Sequence, residues 1–137
     1  MIAIGMIELN SIARGIETSD AMVKAAKVDL IKASTVCPGK YIVLISGETG
    51  DVRASMDAGK NVGGESVIDT LLLSNVHESV IPAISLTNEV KERGAIGVIE
   101  FYSIASAIIA ADTAAKAAQI TLIEVRIGYA VGGKGFI

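Results

Sequence analysis

Ala3-Ile4-Gly5-Met6-Ile7-Glu8 returns later in the chain as Ala95-Ile96-Gly97-Val98-Ile99-Glu100, an offset of 92 residues. The echo continues without a gap. Ser11-Ile12-Ala13 is answered by Ser103-Ile104-Ala105, Asp20 by Asp112, Lys24-Ala25-Ala26 by Lys116-Ala117-Ala118, and Leu30-Ile31 by Leu122-Ile123, so that about half of residues 3–31 are repeated. A repeat of this period is one folding unit duplicated, and it decides the architecture before any single element is assigned. Past residue 31 the offset grows to 94, because Gly39-Lys40 aligns with Gly133-Lys134. The second unit therefore carries two extra residues there, and Val131-Gly132 stands where the first has Cys37-Pro38.

Each unit opens with a strand of alternating residues, 2–9 and 94–102, followed by a helix over about 16–27 and 108–119, rich in good helix formers. Asp20 and Lys24 stand four apart with the acid first, as do Asp112 and Lys116, the favourable order for a helical ion pair on an exposed face. β-branched residues then predict strands at 28–36 and 41–46, matched by 120–129 and 135–137. In the first unit Thr49 is a candidate cap for a helix over 50–62 that Gly63-Gly64 ends. A fourth strand follows at 67–73, then a short helix at 77–81 stopped near Pro82. The pattern predicts an α+β fold, a tandem repeat of a four-stranded antiparallel sheet with helices on one face. The first domain spans 1–84, a polar linker 85–93, and residues 94–137 form the first half of a second, truncated domain. Ile137 answers Val43, which leaves some forty residues of the repeat without a counterpart.

Between the two middle strands of the first unit lies Thr35-Val36-Cys37-Pro38-Gly39-Lys40-Tyr41, with the only cysteine. Pro38 fixes its own φ and biases Cys37 toward extended backbone, while Gly39 supplies the positive φ of a type II turn. The thiol on the shoulder of this turn is either a packing group or a ligand presented at a rim. One cysteine makes no metal site alone.

Composition narrows the function. Half of the 137 residues are hydrophobic but only 4% are aromatic, which suits flat, close packing more than a large ligand pocket. A net charge of −3 without a basic run argues against nucleic acid. Mean hydropathy is +0.56, yet the stretch 101–111 is far short of the ~20 residues that cross a bilayer. No membrane association is expected. Residues 1–8 lack the pattern of a secretion signal and one cysteine builds no disulfide framework, so the expected residence is cytoplasmic.

The remaining motifs are bland. Gly128 to Lys134 spells most of a phosphate loop, but Gly135-Phe136-Ile137 supplies neither the hydroxyl nor the helix that such a loop needs. His77, the only histidine, has no partner for a mononuclear metal site. No spacing of acids, bases or nucleophiles argues for catalysis, and no enzyme is expected.

The opening Ala-Ile-Gly-Met-Ile-Glu, the helix from Asp20 to Val28 and the turn Gly47-Glu48-Thr49-Gly50-Asp51-Val52 together resemble the shell proteins of bacterial microcompartments, in their tandem-domain, trimeric form. Val36-Cys37-Pro38-Gly39-Lys40 is most similar to the propanediol-utilisation branch. The resemblance implies a structural protein of the microcompartment shell, in which three chains form a pseudo-hexameric tile that packs beside other shell proteins. It further implies a central pore lined by Cys37, Pro38, Gly39, Gly132 and Gly133, where the Cys37 thiolates of three chains hold a 4Fe–4S cluster for electron transfer, with encapsulated redox enzymes as partners. A closed ring turns one cysteine per chain into three, leaving the fourth iron to a non-protein or solvent ligand. Lys24 and Lys116 are the implied assembly edge. Three departures from the family stand out: the shortened second domain lacks a second helix and fourth strand, which bears on the completeness of the tile edge; single-domain members carry an arginine after Ile81-Pro82, where Ala83 stands, so the edge contact would rest on Lys24 and Lys116; and Gly47-Glu48 replaces a usual Gly-Asp, a mild change. The alternative from another class is a ferredoxin-like regulatory oligomer that binds a small molecule between subunits.

Overall fold

Strand β1 (Ile2–Leu9) runs through the middle of a sheet, so both of its faces are covered and every residue from Ala3 to Leu9 is buried. The computed structural model describes residues 1–137, grouped into two units, Met1–Val76 and His77–Ile137. In the first, β1 pairs antiparallel with β3 (Lys40–Glu48) on one side and β4 (Val67–Leu73) on the other. β2 (Asp29–Val36) lies outside β3, giving the order β2-β3-β1-β4. This is the expected four-stranded antiparallel sheet.

Side-chain alternation sorts the strands. Ala3, Ile7 and Leu9 of β1 and Tyr41, Val43 and Ile45 of β3 form one apolar layer with Met22, Val52 and Met56 from the helices α1 (Ile12–Ala25) and α2 (Thr49–Gly63). Gly5 makes the close approach possible. A Cβ there would lie 2.8 Å from Val52 Cγ1 and from Met56 Sδ.

The ends of the helices depart from the sequence reading. α1 begins at Ile12, earlier than the expected 16, because the Ser11 hydroxyl accepts a hydrogen bond from Arg14 N–H at 3.2 Å and caps it. Thr49 does not cap α2; it lies inside the first turn, and Glu48 holds the cap position without a side-chain bond. Gly64, with φ 52°, ends α2 as expected. The short helix α3 is Val80–Ile84, not 77–81, and it contains Pro82. Proline is tolerated in a first turn, where its missing N–H has no intrahelical acceptor anyway.

In the second unit β5 (Glu100–Phe101), α4 (Ile104–Ala117), β6 (Arg126–Ile127) and β7 (Gly135–Phe136) repeat the topology in short form, with strand order β5-β7-β6. Ser103 caps α4 through Ser106 N–H, as Ser11 caps α1, so this helix too starts ahead of the expected 108. The register is conserved between the repeats. Glu8 faces Ile42 and Leu9 faces Tyr41 in the first unit; Glu100 faces Phe136 and Phe101 faces Gly135 in the second. Thr35 and Tyr41 are paired, and so are Ile127 and Gly135. Both extra residues therefore lie in the turn.

The strands expected at 94–102 and 120–129 are mostly unpaired. β7 and Ile137, which exchanges two backbone hydrogen bonds with Ile99 at 3.0 Å, offer three residues of ladder where β3 offers nine. Residues 77–84, which belong to the first repeat by sequence, pack within the second unit. His77 N–H donates to Asp112 Oδ1 at 2.7 Å and Val125 N–H to the Ala83 carbonyl at 3.1 Å.

One contact is built from opposite halves in the two repeats. At Gly15 an added Cβ would lie 2.5 Å from the Tyr41 ring; at Gly135, the counterpart of Tyr41, it would lie 2.6 Å from the methyl of Ala107, the counterpart of Gly15. Helix propensity alone predicts that Gly15→Ala stabilises by about 1 kcal/mol. The packing predicts the reverse sign, a loss of about 1–3 kcal/mol in urea unfolding, and a stabilised variant would show that Tyr41 does not close over Gly15.

Candidate functional site: the Cys37 turn and its counterpart

Val36 and Lys40 close the β2–β3 hairpin as a cross-strand pair, which leaves Cys37, Pro38 and Gly39 at its tip. Gly39 has φ 63°, the left-handed backbone that the sequence predicts, and the Cys37–Pro38 peptide bond is cis, which the sequence reading does not foresee. Cys37 is a free thiol, half-buried, beside exposed Pro38 and Gly39. The Cβ direction of Gly39 meets no atom within 4 Å, so the tip is open to solvent on that side.

The counterpart turn, residues 128–134, is longer and held differently. Gly128 N–H donates to the Lys134 carbonyl at 2.9 Å and Lys134 N–H to the Val131 carbonyl at 3.2 Å. Gly128, Ala130, Gly132 and Gly133 all have positive φ. Gly132 is exposed and Gly133 buried, so of the two glycines expected to line an opening only Gly132 is presented at the surface of the unit. Lys134 is followed by strand β7 and no helix, which removes the phosphate-loop reading.

Beneath each turn stands an acid–lysine pair that the sequence reading misses. Glu8 is a carboxylate inside the buried strand β1, its side chain 5% exposed, and it accepts from Lys40 Nζ at the start of β3. Burying a carboxylate is costly unless it is paired, and Lys40 is the partner that lets Glu8 lie there. This pair ties the foot of the Cys37 turn to the central strand. Its counterpart, Lys134 and Glu100, is looser at 3.7 Å, with side chains 44% and 71% exposed, and Lys134 Nζ also sits 5.2 Å from the centroid of the Tyr102 ring. The signal was present in the repeat: an acid ending the Ala-Ile-Gly motif and a lysine after the turn glycine recur together.

Lys24 and Lys116, the expected edge residues, lie in the last turns of α1 and α4. Lys24 Nζ is 2.7 Å from Asp20, and both side chains are exposed. Lys116 Nζ is 2.6 Å from Asp112, but Asp112 is buried and also receives His77 N–H. The expectation that both pairs mark an exposed face holds for the first only, because His77 lies against Asp112. His77 has a local role, with Nδ1 2.8 Å from Ser79 Oγ. No group of three or more His, Cys, Asp or Glu side chains is placed to hold a metal ion within one chain.

The two pairs should differ in energetic weight. Lys40→Met leaves a buried carboxylate unpaired, for an expected loss of roughly 3–5 kcal/mol. Lys134→Met leaves one in water, for a loss below about 1 kcal/mol. Chemical denaturation of the two variants checks this, and equal losses would contradict the assignment of Glu8 as the buried anchor.

Comparison with known proteins agrees with the duplicated architecture. The sequence pattern of the BMC domain matches residues 3–82 and again 95–137. The chain is 44% identical over 135 residues to the bacterial microcompartment shell protein PduT of Citrobacter freundii, covering 98% of this chain and 73% of that one. It is 37% identical over 95 residues to the carboxysome shell protein CsoS1C of Hydrogenovibrio crunogenus, covering 67% and 93%. A crystal structure of a microcompartment protein from Desulfitobacterium hafniense DCB superposes with a TM-score of 0.95 at 55% identity, over 99% of this chain and 76% of that one. No helix is long and apolar enough to cross a membrane. With its repeated motif, its sheet topology and these relatives in agreement, the chain belongs to the BMC domain family of bacterial microcompartment shell proteins.

Proposed function

We propose that three chains close around a threefold axis into a pseudo-hexameric tile of the shell, with the Cys37 turns around a central pore. The observation that carries this reading is the common register of the two repeats: each chain offers two equivalent units, and three such chains make six. The likeness to the shell protein PduT along nearly the whole chain supports a place in a microcompartment shell. Pro38 and Gly39 would border the opening beside Cys37, and Gly132 with Gly133 would occupy the alternate positions. Lys24 and Lys116 would make the edge contacts to neighbouring tiles and to other shell proteins.

A 4Fe–4S cluster at that pore fits the residues present only in the assembly. One chain supplies one thiol, half-buried at an open hairpin tip, and no other metal-ligating cluster. Three Cys37 side chains would hold the cluster between them, leaving one iron to a small ligand or water. When bound, such a cluster supplies one-electron transfer, which suits passage of electrons to encapsulated redox enzymes. The role of the chain is then to set three sulfurs at one rim, and the buried Glu8–Lys40 pair supports this by fixing the foot of the turn.

Anaerobic reconstitution with iron and sulfide is expected to give visible absorption that Cys37→Ser abolishes while the oligomer stays intact. Unchanged absorption in the variant would remove Cys37 as a ligand. In electron micrographs the wild-type protein is expected to form sheets or tubes, and Lys24→Ala to give separate tiles. Undiminished sheets from Lys24→Ala would remove that lysine from the edge.

A further inference from the structure

Val36 and Gly128 are the last buried residues before the two hairpin tips, and each is closed by the lysine across from it: Val36 pairs with Lys40, and Gly128 N–H donates to the Lys134 carbonyl at 2.9 Å. Counted from the incoming strand, the next residue is Cys37 in the first unit and Tyr129 in the second. Sequence alone sets Val131 opposite Cys37, because it counts back from the glycine and lysine that follow the turn. The backbone pairing puts Tyr129 there instead. Beyond the closing pairs both tips are open to solvent, with Pro38 and Gly39 exposed in one and Tyr129, Ala130 and Gly132 in the other. Tyr129 is 63% exposed, whereas Tyr41, on the outgoing strand of the first hairpin, is buried over Gly15.

Holding an aromatic ring at this tip takes an unusual backbone. Gly128 before it has φ 76° and Ala130 after it φ 58°, the left-handed region that a residue with a Cβ enters only at a cost. Such strain persists where the surrounding bonds over-determine it, and it gathers at functional turns. Here Lys134 N–H, donating to the Val131 carbonyl at 3.2 Å, ties the tip to its own foot. Building on the threefold assembly proposed above, we infer that Tyr129 governs access to the Cys37 sulfurs. In a ring of alternating turns each Cys37 is flanked by two second-unit turns, and a residue one place past the closing pair stands at the level of the sulfur. Tyr129 is that residue. Its ring, by size and not through its hydroxyl, narrows the approach to the smaller thiol between two such neighbours. Inorganic iron and sulfide then reach the sulfurs, and organic molecules of cofactor size do not.

Cys37 is the only cysteine, so maleimide labelling of the full chain reads it alone. N-ethylmaleimide and N-pyrenylmaleimide share one thiol chemistry and differ in width. Measured against the rates in urea, the wild-type protein is expected to slow the pyrenyl reagent roughly tenfold more than the ethyl one. Tyr129→Ala is expected to remove that difference and Tyr129→Phe to keep it, while the wild-type comparison needs no variant at all. Sedimentation of each protein separates the role of Tyr129 from the assembly itself. In a particle of three chains, equal slowing of both reagents, a difference that survives Tyr129→Ala, or one lost in Tyr129→Phe would each overturn the role of the ring and leave the assembly standing. A particle of one chain would overturn both.

Discussion

The antiparallel ladder between β1 and β3 is the constraint on which the rest of this structure depends. It joins the first strand of the unit to the third, so closing it fixes the helix between them over the sheet and sets where the β2–β3 hairpin turns. A strand register cannot slip by one residue without moving its whole apolar set to the other face. Here both faces of β1 are buried and its one carboxylate, Glu8, has its lysine at the start of β3, so a slip would also strand a charge. The position of Cys37 follows from this ladder. The second unit keeps the same pairing over three residues and places its own turn by it, longer by two residues.

The two repeats show how one backbone solution tolerates different side chains. Tyr41 over Gly15 and Ala107 over Gly135 fill one contact from opposite sides, with the large group moved off the strand. That exchange keeps helix and sheet close while changing both residues, which is what close packing demands of a duplicated core. The ion pair under the turn is kept in kind but not in burial: Glu8 lies inside, Glu100 at the surface.

Much of this was legible in the sequence, because the strongest signal was a repeat and repeats need no propensity scale. The location of the two extra residues follows from comparing the halves, and the strand at 67–73 and the end of α2 at Gly63-Gly64 follow from the β-branched residues and glycines of the first unit alone. What failed were signals that depend on a partner. Residues 94–99 and 120–125 fall in expected strands, yet a strand exists only where another backbone meets it, and β7 meets few. Ser11 and Ser103 cap helices that begin ahead of the runs of helix formers, and Glu48, not Thr49, holds the cap position of α2. The pairing of Glu8 with Lys40 joins residues 32 apart in sequence. Only their joint recurrence as Glu100 and Lys134 could have announced it.

A lone sulfur at a hairpin tip gains chemistry only by meeting its own copies, so the number of chains in the particle is the quantity that matters most. Sedimentation equilibrium across a wide concentration range reads it directly. The account predicts a species of three times the 14.1 kDa chain mass. A particle that stays at the mass of one chain at every concentration would contradict it.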